Sequence, residues 1–320
     1  MLLISLALSI SASADSNKVQ KIINKGITDI NSIKINKNTR RLVIKKNDID
    51  SIQDFTIPDY LKVFFYDENN TSSINGLTLG SSLKKLIIFN TELSSIQNVI
   101  FNDEIEHVQI AFNPIEEFNG LDFSSTNLKR LFLDNNAIKS LNGLILNDNL
   151  EKVFLNSNQI SNVDEYIFPD QLKTLSLSDN NLDSFNGASL NSNLEVLRLD
   201  GNFFEPYSNI KNIPQTIKEF IFGSFFVDTQ DFTDFVLPEN LEILSFGVTN
   251  ANEEDLATLS IPPNLIVLDL SFNSVTSLDG LSFPSTLRKL DLSHNPISKE
   301  ERRKIRKRFK RENPKLKIKF

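Results

Sequence analysis

The chain has 320 residues, of which 40% are hydrophobic and 23% charged, a composition typical of a folded chain with a sizeable core. It contains no Cys and only two His, which excludes disulfides, thiolate metal sites and Cys nucleophiles and leaves little material for imidazole chemistry. The net charge of −7 argues against non-specific nucleic-acid binding by the surface as a whole. We therefore expect a protein that is not an enzyme and that needs no cofactor or metal ion.

The first 14 residues resemble a short secretory signal peptide. Residues 2–10 form the longest apolar run, about nine residues against the roughly 20 that a membrane-spanning helix needs. Small residues follow at 11–14, although no Lys or Arg precedes the run. This pattern predicts cleavage after Ala14 and a secreted protein. The alternative is an apolar start to the first repeat and a cytoplasmic protein.

An internal repeat dominates the rest of the chain. The template Leu-x-x-Leu-x-Leu-x-x-Asn-x-Ile recurs in twelve units at intervals of 22 to 24 residues. The alternation Leu-x-Leu predicts a short strand with one buried face in each unit. The first template position falls at residues 39, 61, 83, 105, 128, 150, 172, 194, 217, 241, 265 and 287.

The Asn of the template marks the point where the chain turns after each strand. A side chain with both a donor and an acceptor is needed there, because backbone groups leave the strand ladder at that point. In three units the position is held by Thr91, Thr249 and Phe225, of which only the two Thr can supply part of the bonding. We call this position the ladder position and its Asn residues the Asn ladder. The nine units with Asn contribute Asn47, Asn69, Asn113, Asn136, Asn158, Asn180, Asn202, Asn273 and Asn295.

The second half of each unit indicates turns and extended segments more than helices. Asn-Gly or Asp-Gly pairs recur before a large apolar residue, and Pro often follows it. The apolar residues predict a second core column, made of Ile57, Leu79, Phe101, Phe123, Leu146, Phe168, Leu190, Ile213, Leu237, Ile261 and Phe283.

These motifs resemble those of leucine-rich-repeat proteins, and the extended second halves are similar to repeats in exported bacterial and protist members. The resemblance implies a curved, right-handed α/β-type horseshoe with a parallel β-sheet on its concave face. It also implies a non-enzymatic module that recognises a protein or peptide partner. The predicted organisation is a signal peptide at 1–14, an N-terminal cap at 15–38, a solenoid of about 12 repeats at 39–297 and a C-terminal cap at 298–320.

The last 22 residues carry a charge that the average conceals. Residues 299–320 contain 12 basic and three acidic residues, a net +9, which leaves −16 for the rest of the chain. Ser298 and the acidic residues after it predict a helix N-terminus, with Ile305 and Phe309 on one buried face. A capping helix followed by one last strand is the favoured interpretation. Anion or nucleic-acid binding through this basic segment is the alternative.

The concave face can be listed from the repeat, because residues between the buried Leu positions point out of it. Its first half is apolar and aromatic, which predicts a site for a protein or peptide ligand bound by a monomer. Two alternatives stay open: the Phe residues serve only cross-strand packing, or the chain is a cytosolic scaffold for a signalling enzyme. The candidate residues are Phe65, Ile87, Phe89, Phe112, Phe132 and Phe154, flanked by Lys85, Arg130 and Lys152.

The two glycosylation sequons and the two His residues are minor features of the sequence. Asn69 and Asn70 begin overlapping glycosylation sequons, and only Asn70 is a candidate because Asn69 is a ladder residue. His107 and His294 fall on the same face but in repeats far apart, so we expect no shared metal or acid–base site.

Overall fold

The computed structural model of the chain describes residues 18–118, 120–185, 189–204, 209–223, 232 and 235–320. These residues wind into stacked coils, each of which adds one strand to a 14-stranded parallel sheet. Neighbouring strands pair in register at the repeat distance, so that Phe65 lies beside Ile87 and Phe132 beside Phe154. The fold is therefore the parallel β-solenoid that the repeat predicts.

The sheet contains two more strands than the twelve repeats account for. The first, Val19–Ile23, precedes its partner by 22 residues, and the last, Lys317–Lys319, follows the C-terminal helix. The strands are five residues long up to the fifth coil and three residues long beyond it. In chain order they are β1 (Val19–Ile23), β2 (Arg41–Lys45), β3 (Val63–Asp67), β4 (Lys85–Phe89), β5 (His107–Ala111), β7 (Arg130–Phe132), β9 (Lys152–Phe154), β10 (Thr174–Ser176), β11 (Val196–Arg198), β12 (Glu219–Ile221), β13 (Ile243–Ser245), β14 (Val267–Asp269), β15 (Lys289–Asp291) and β16 (Lys317–Lys319).

The core lies between the sheet and the opposite, convex side of each coil. The template Leu positions are buried, as at Leu128, Leu131 and Leu133. The predicted second column is confirmed, because its residues are either buried or packed against the core. Each coil thus buries two apolar faces, which requires neighbouring coils on both sides.

The Asn ladder is confirmed at eight of the nine positions that carry Asn; at the ninth, Asn69 bonds only the Asp67 carbonyl of its own coil, and its Oδ1 has no partner among the described residues. Asn180, for example, donates from Nδ2 to the carbonyls of Leu155 and Leu177 at 2.9 and 3.0 Å. Its Oδ1 accepts from the backbone N–H of Ile160 at 3.0 Å. Thr249 performs part of this role by donating from Oγ1 to the Phe246 carbonyl at 3.2 Å. Ladder residues such as Asn180 therefore join two coils through buried backbone groups.

The convex side is mostly irregular, as predicted. It carries a two-stranded sheet of β6 (Leu121–Asp122) and β8 (Leu144–Ile145), a 3-10 turn at Ile30–Ser32 and the helix α1 (Glu253–Thr258). The turn glycine Gly143 has a φ of 79°, a backbone conformation that is unfavourable for residues with a side chain.

The C-terminal segment forms the predicted helix and strand. Helix α2 (Lys299–Glu312) begins at its N-cap Ser298, and it buries Ile305 and Phe309 against the end of the solenoid. Arg308 donates to the carbonyls of Leu278 and Leu281 at 2.7 and 2.6 Å. This helix therefore covers the last coil and satisfies two of its backbone groups.

Several predicted features lie outside the described residues. These are the signal peptide at 1–14, residues 15–17 of the N-terminal cap, the Asn-Gly turn pair at 186–187 and Phe225. Within the described part of the chain, no helix is long and apolar enough to span a membrane.

Candidate functional site

The nine predicted partner-binding residues come together on the concave face. Phe65 and Ile87 are the central residues of β3 and β4, and Phe132 and Phe154 end β7 and β9. Phe89 ends β4, and Phe112 directly follows β5. The basic residues Lys85, Arg130 and Lys152 begin their strands, so they form one edge of the same surface. We call these nine residues the aromatic face.

Ring contacts connect the aromatic face across the strands. Phe132 and Phe154 stack with centroids 4.7 Å apart and an interplanar angle of 1°. His107 contacts Phe132 at 5.1 Å, and Phe65 meets Phe89 edge-on at 6.0 Å. Cross-strand packing of the Phe residues is therefore a property of the fold.

The apolar residues differ in exposure, which the repeat pattern does not predict. Ile87 is only 1% exposed and Phe132 only 8% exposed, because neighbouring side chains cover them. Phe65, Phe89 and Phe154 are half-buried. Phe112 is 41% exposed and is the most accessible aromatic residue of the group. Ile87 and Phe132 thus form the floor of the surface, and the other four present it to solvent.

A groove of about 660 Å³ continues this surface toward the first strand. Sequence reasoning missed the part contributed by β1, because residues 15–38 were interpreted as a degenerate cap. The signal was present, since Val19-x-Lys21-x-Ile23 precedes Arg41-x-Val43-x-Lys45 by one repeat distance. The groove residues that the candidate list lacked are Val19, Lys21, Ile23, Arg41, Val43, Lys45, Asp67, Glu68, Asn90 and Gln109.

The two edges of the aromatic face differ in charge. Along the edge where strands begin, Arg41, Lys85, Arg130 and Lys152 form no ion pair with any residue that the structure describes. His107 lies between Lys85 and Arg130 in register, and burial together with these two cations lowers its pKa to about 4. This imidazole is therefore neutral at pH 7.

Carboxylates lie along the opposite edge, where strands end. Lys45 bonds Asp67 and Glu68 at 2.6 and 2.7 Å. Asp134 is buried, accepts from Asn156 through Oδ1, and has no hydrogen-bond partner at Oδ2. Burial raises the pKa of Asp134 to about 6. The cationic edge is thus unpaired, whereas Asp67 and Glu68 on the acidic edge are paired with Lys45.

The backbone at Phe112 is unusual for an aromatic residue. The residue just before each ladder position has a positive φ in coil after coil, and Phe112 has a φ of 59°. The equivalent residues in the two adjacent coils are Asn90 and Asn135, a residue type that tolerates this conformation. Phe112 therefore brings a large apolar ring to a position that the fold does not favour for it.

The second half of the concave face is more polar, although Val248 and Phe272 are exposed there. Ser176 is buried and Ser178 donates from Oγ to Asp200 at 2.6 Å. Arg198 bonds Glu219, and Asp291 accepts from Lys319 at 2.9 Å. These side chains are mutually satisfied, in contrast to the cationic edge of the aromatic face.

The remaining candidates are placed as follows. His294 stacks on Phe272 at 4.0 Å, in a different region from His107, and the described residues contain no group of three or more metal-ligating side chains. Asn70 is exposed, whereas Asn69 is buried and donates to the Asp67 carbonyl. Asn70 is thus the accessible member of the two sequons.

A family model for two copies of leucine-rich repeats matches residues 263–301. The match covers two coils of the stacked pattern that runs through the sheet. The chain has the leucine-rich-repeat fold. No curated protein matches the sequence of this chain significantly.

Solved structures of leucine-rich-repeat proteins are similar over most of the chain. The leucine-rich-repeat domain of APL1B has a TM-score of 0.57 at 20% identity, covering 94% of this chain and 88% of that one. A chain from an octameric complex of Latrophilin 3, Unc5D and FLRT2 has a TM-score of 0.54 at 18% identity, covering 92% and 87%. TLR13 in a complex with ssRNA13 has a TM-score of 0.51 at 18% identity, covering 87% of this chain and 49% of that one. At these identities the likeness concerns the fold.

Proposed function

We propose that this protein is a non-enzymatic recognition module that binds a protein or peptide partner on its aromatic face. The observation that carries the proposal is Phe112, a 41% exposed ring held at a φ of 59° beside Asn90 and Asn135. The positive φ recurs at this position in other coils, Phe272 included, so Phe112 is distinguished by its place in the groove, where its exposed ring lies with Phe65 and Phe89. Core packing gives no reason for an exposed aromatic side chain there. The complex that contains FLRT2 agrees with a protein partner for this fold.

Phe112→Asn tests the proposal without the usual loss of stability. The variant restores the residue type of the adjacent coils, so the melting temperature should stay equal or rise, while the partner should be lost. Phe272→Asn is the matched control. Phe272 is exposed at the same repeat position with a φ of 55°, but it follows β14, outside the aromatic face. We expect affinity capture with both variants and the unaltered protein, followed by mass spectrometry, to show partners lost only with Phe112→Asn. Equal partner sets for all three would contradict the proposal.

Export is part of the proposal. It is supported by the apolar run at 2–10 and the small residues at 11–14. Mass spectrometry of the protein from its own cells should find an N-terminus at Asp15. Retention of Met1 to Ala14 would favour the cytosolic scaffold instead. In a eukaryotic secretory route, Asn70→Gln should remove one glycan.

The basic helix α2 supports a second candidate, the binding of an anionic ligand. Arg303, Lys307 and Lys310 are exposed and form no ion pair with a described residue. The TLR13 complex with single-stranded RNA gives this candidate a precedent in the fold. Neutralising the three residues should abolish the binding of a labelled oligonucleotide and its salt dependence. Unchanged affinity would dismiss this candidate.

A further inference from the structure

The cations on the aromatic face are unpaired in a chain whose body is acidic. Arg41, Lys85, Arg130 and Lys152 occupy the same position of β2, β4, β7 and β9. Adjacent strands are about 4.8 Å apart, so Arg41, Lys85 and Arg130 are separated by steps of about 10 Å, and Lys152 follows at about 5 Å. They form a row beside the exposed rings, and we call these four residues the cation row.

Nearby carboxylates do not neutralise the cation row. Glu106 interacts with Lys85 at a distance, but it bonds Lys84 at 2.6 Å. Glu151 lies next to Lys152 in the chain and contacts Lys173 instead. On the opposite edge, Asp67 and Glu68 are held by Lys45. A ligand therefore meets net positive charge on one side of an apolar floor.

We propose that the partner presents an acidic, extended segment with interspersed apolar side chains, whose carboxylates face the cation row and whose apolar groups contact Phe65, Phe89, Phe112 and Phe154. This inference rests on the proposed function. Its basis is charge complementarity, since the cation row is unpaired and the apolar groups lie directly beside it. A peptide of this kind satisfies both parts of the surface at once.

The geometry favours a peptide over a single-stranded nucleic acid. Nucleic acids bind such surfaces by stacking bases on free aromatic faces. Phe132 is 8% exposed and stacks fully on Phe154, so one face of each ring is already occupied. Lys45 on the opposite edge is already paired with Asp67 and Glu68, so it is not free to hold a phosphate backbone. The four cations are also confined to one edge.

A displayed library of random twelve-residue peptides provides the test. Sorting against the full chain should enrich peptides that are acidic and contain aromatic or aliphatic residues. A synthetic copy of an enriched peptide should lose affinity by about 25-fold for Lys85→Gln with Arg130→Gln, since one exposed ion pair corresponds to about fivefold. The matched control is Arg303→Gln with Lys307→Gln, which removes the same charge from helix α2 and should leave the affinity unchanged. The loss should shrink at 500 mM NaCl.

The outcomes separate the two proposals. Enriched peptides that are neutral or basic, yet lost with Phe112→Asn, would overturn the acidic segment and leave the binding face standing. Enrichment that does not depend on Phe112 would overturn both the acidic segment and the proposed binding face. Binding of a labelled twelve-nucleotide uridine oligonucleotide that is lost with Lys85→Gln and Arg130→Gln would overturn the peptide in favour of a nucleic acid.

Discussion

Replacing single Asn residues of the ladder should cost different amounts of stability, and the hydrogen bonds predict the order. In Asn180→Ala, the carbonyls of Leu155 and Leu177 keep a second donor, from Asn158 and Asn202. Only the N–H of Ile160 loses its partner. The substitution therefore leaves one buried polar group unpaired.

Asn202→Ala removes more, because Asn202 is the last Asn in its run. The N–H of Leu182 and the carbonyl of Leu199 both bond Asn202, at 3.0 and 2.8 Å, and have no other partner among the described residues. The next ladder position is Phe225, which carries no amide. A buried group left unpaired costs about 1–3 kcal/mol. We expect losses of about 1–3 kcal/mol for Asn180→Ala and about 2–6 kcal/mol for Asn202→Ala.

Urea denaturation followed by circular dichroism measures both losses, with the slope of the transition checking that unfolding stays comparable. Asn181→Ala is the control, since this exposed neighbour makes one contact, at 3.5 Å, and should change stability by less than about 0.5 kcal/mol. Equal losses for Asn180→Ala and Asn202→Ala, or the reverse order, would refute the hydrogen-bond reasoning.

Three further predictions concern pH and the C-terminal cap. Burial raises the pKa of Asp134 to about 6, so between about pH 4 and 6 the native state binds more protons than the unfolded chain, and stability falls as pH rises. Urea denaturation across this range should show that Asp134→Asn removes this fall. The pKa of His107, lowered to about 4, has the opposite sign, so stability falls as pH drops from about 6.5 to 4, and His107→Gln should flatten that slope in the same assay. Arg308→Gln should lower the melting temperature in calorimetry, because the Leu281 carbonyl loses its donor among the described residues and the Leu278 carbonyl loses one of two, whereas Arg303→Gln should leave it unchanged.

The repeat alone predicted most of the fold. Periodic Leu and Asn positions determine the buried strand face and the ladder, and the Ser298 N-cap with Ile305 and Phe309 located helix α2. Each unit packs against neighbours that carry the same pattern at a fixed distance, so the pattern of one unit predicts the structure of the next.

The rest depends on contacts that a single unit does not contain. Ile87 and Phe132 are buried because side chains from adjacent coils cover them, which alternation within one strand cannot show. Strand β1 was missed because its Val and Ile residues lack the Leu and Asn of the template. The contact of Arg308 with Leu278 joins residues 30 positions apart and follows from how the helix lies on the last coil.

Photo-cross-linking tests the central claim, that the partner binds the aromatic face. Benzoylphenylalanine would replace Phe154 in one protein and Ile145 in another; Ile145 is 49% exposed in β8 on the convex side. We predict that the captured partner cross-links to position 154 and not to position 145. Cross-linking at position 145 without any at position 154 would contradict the account.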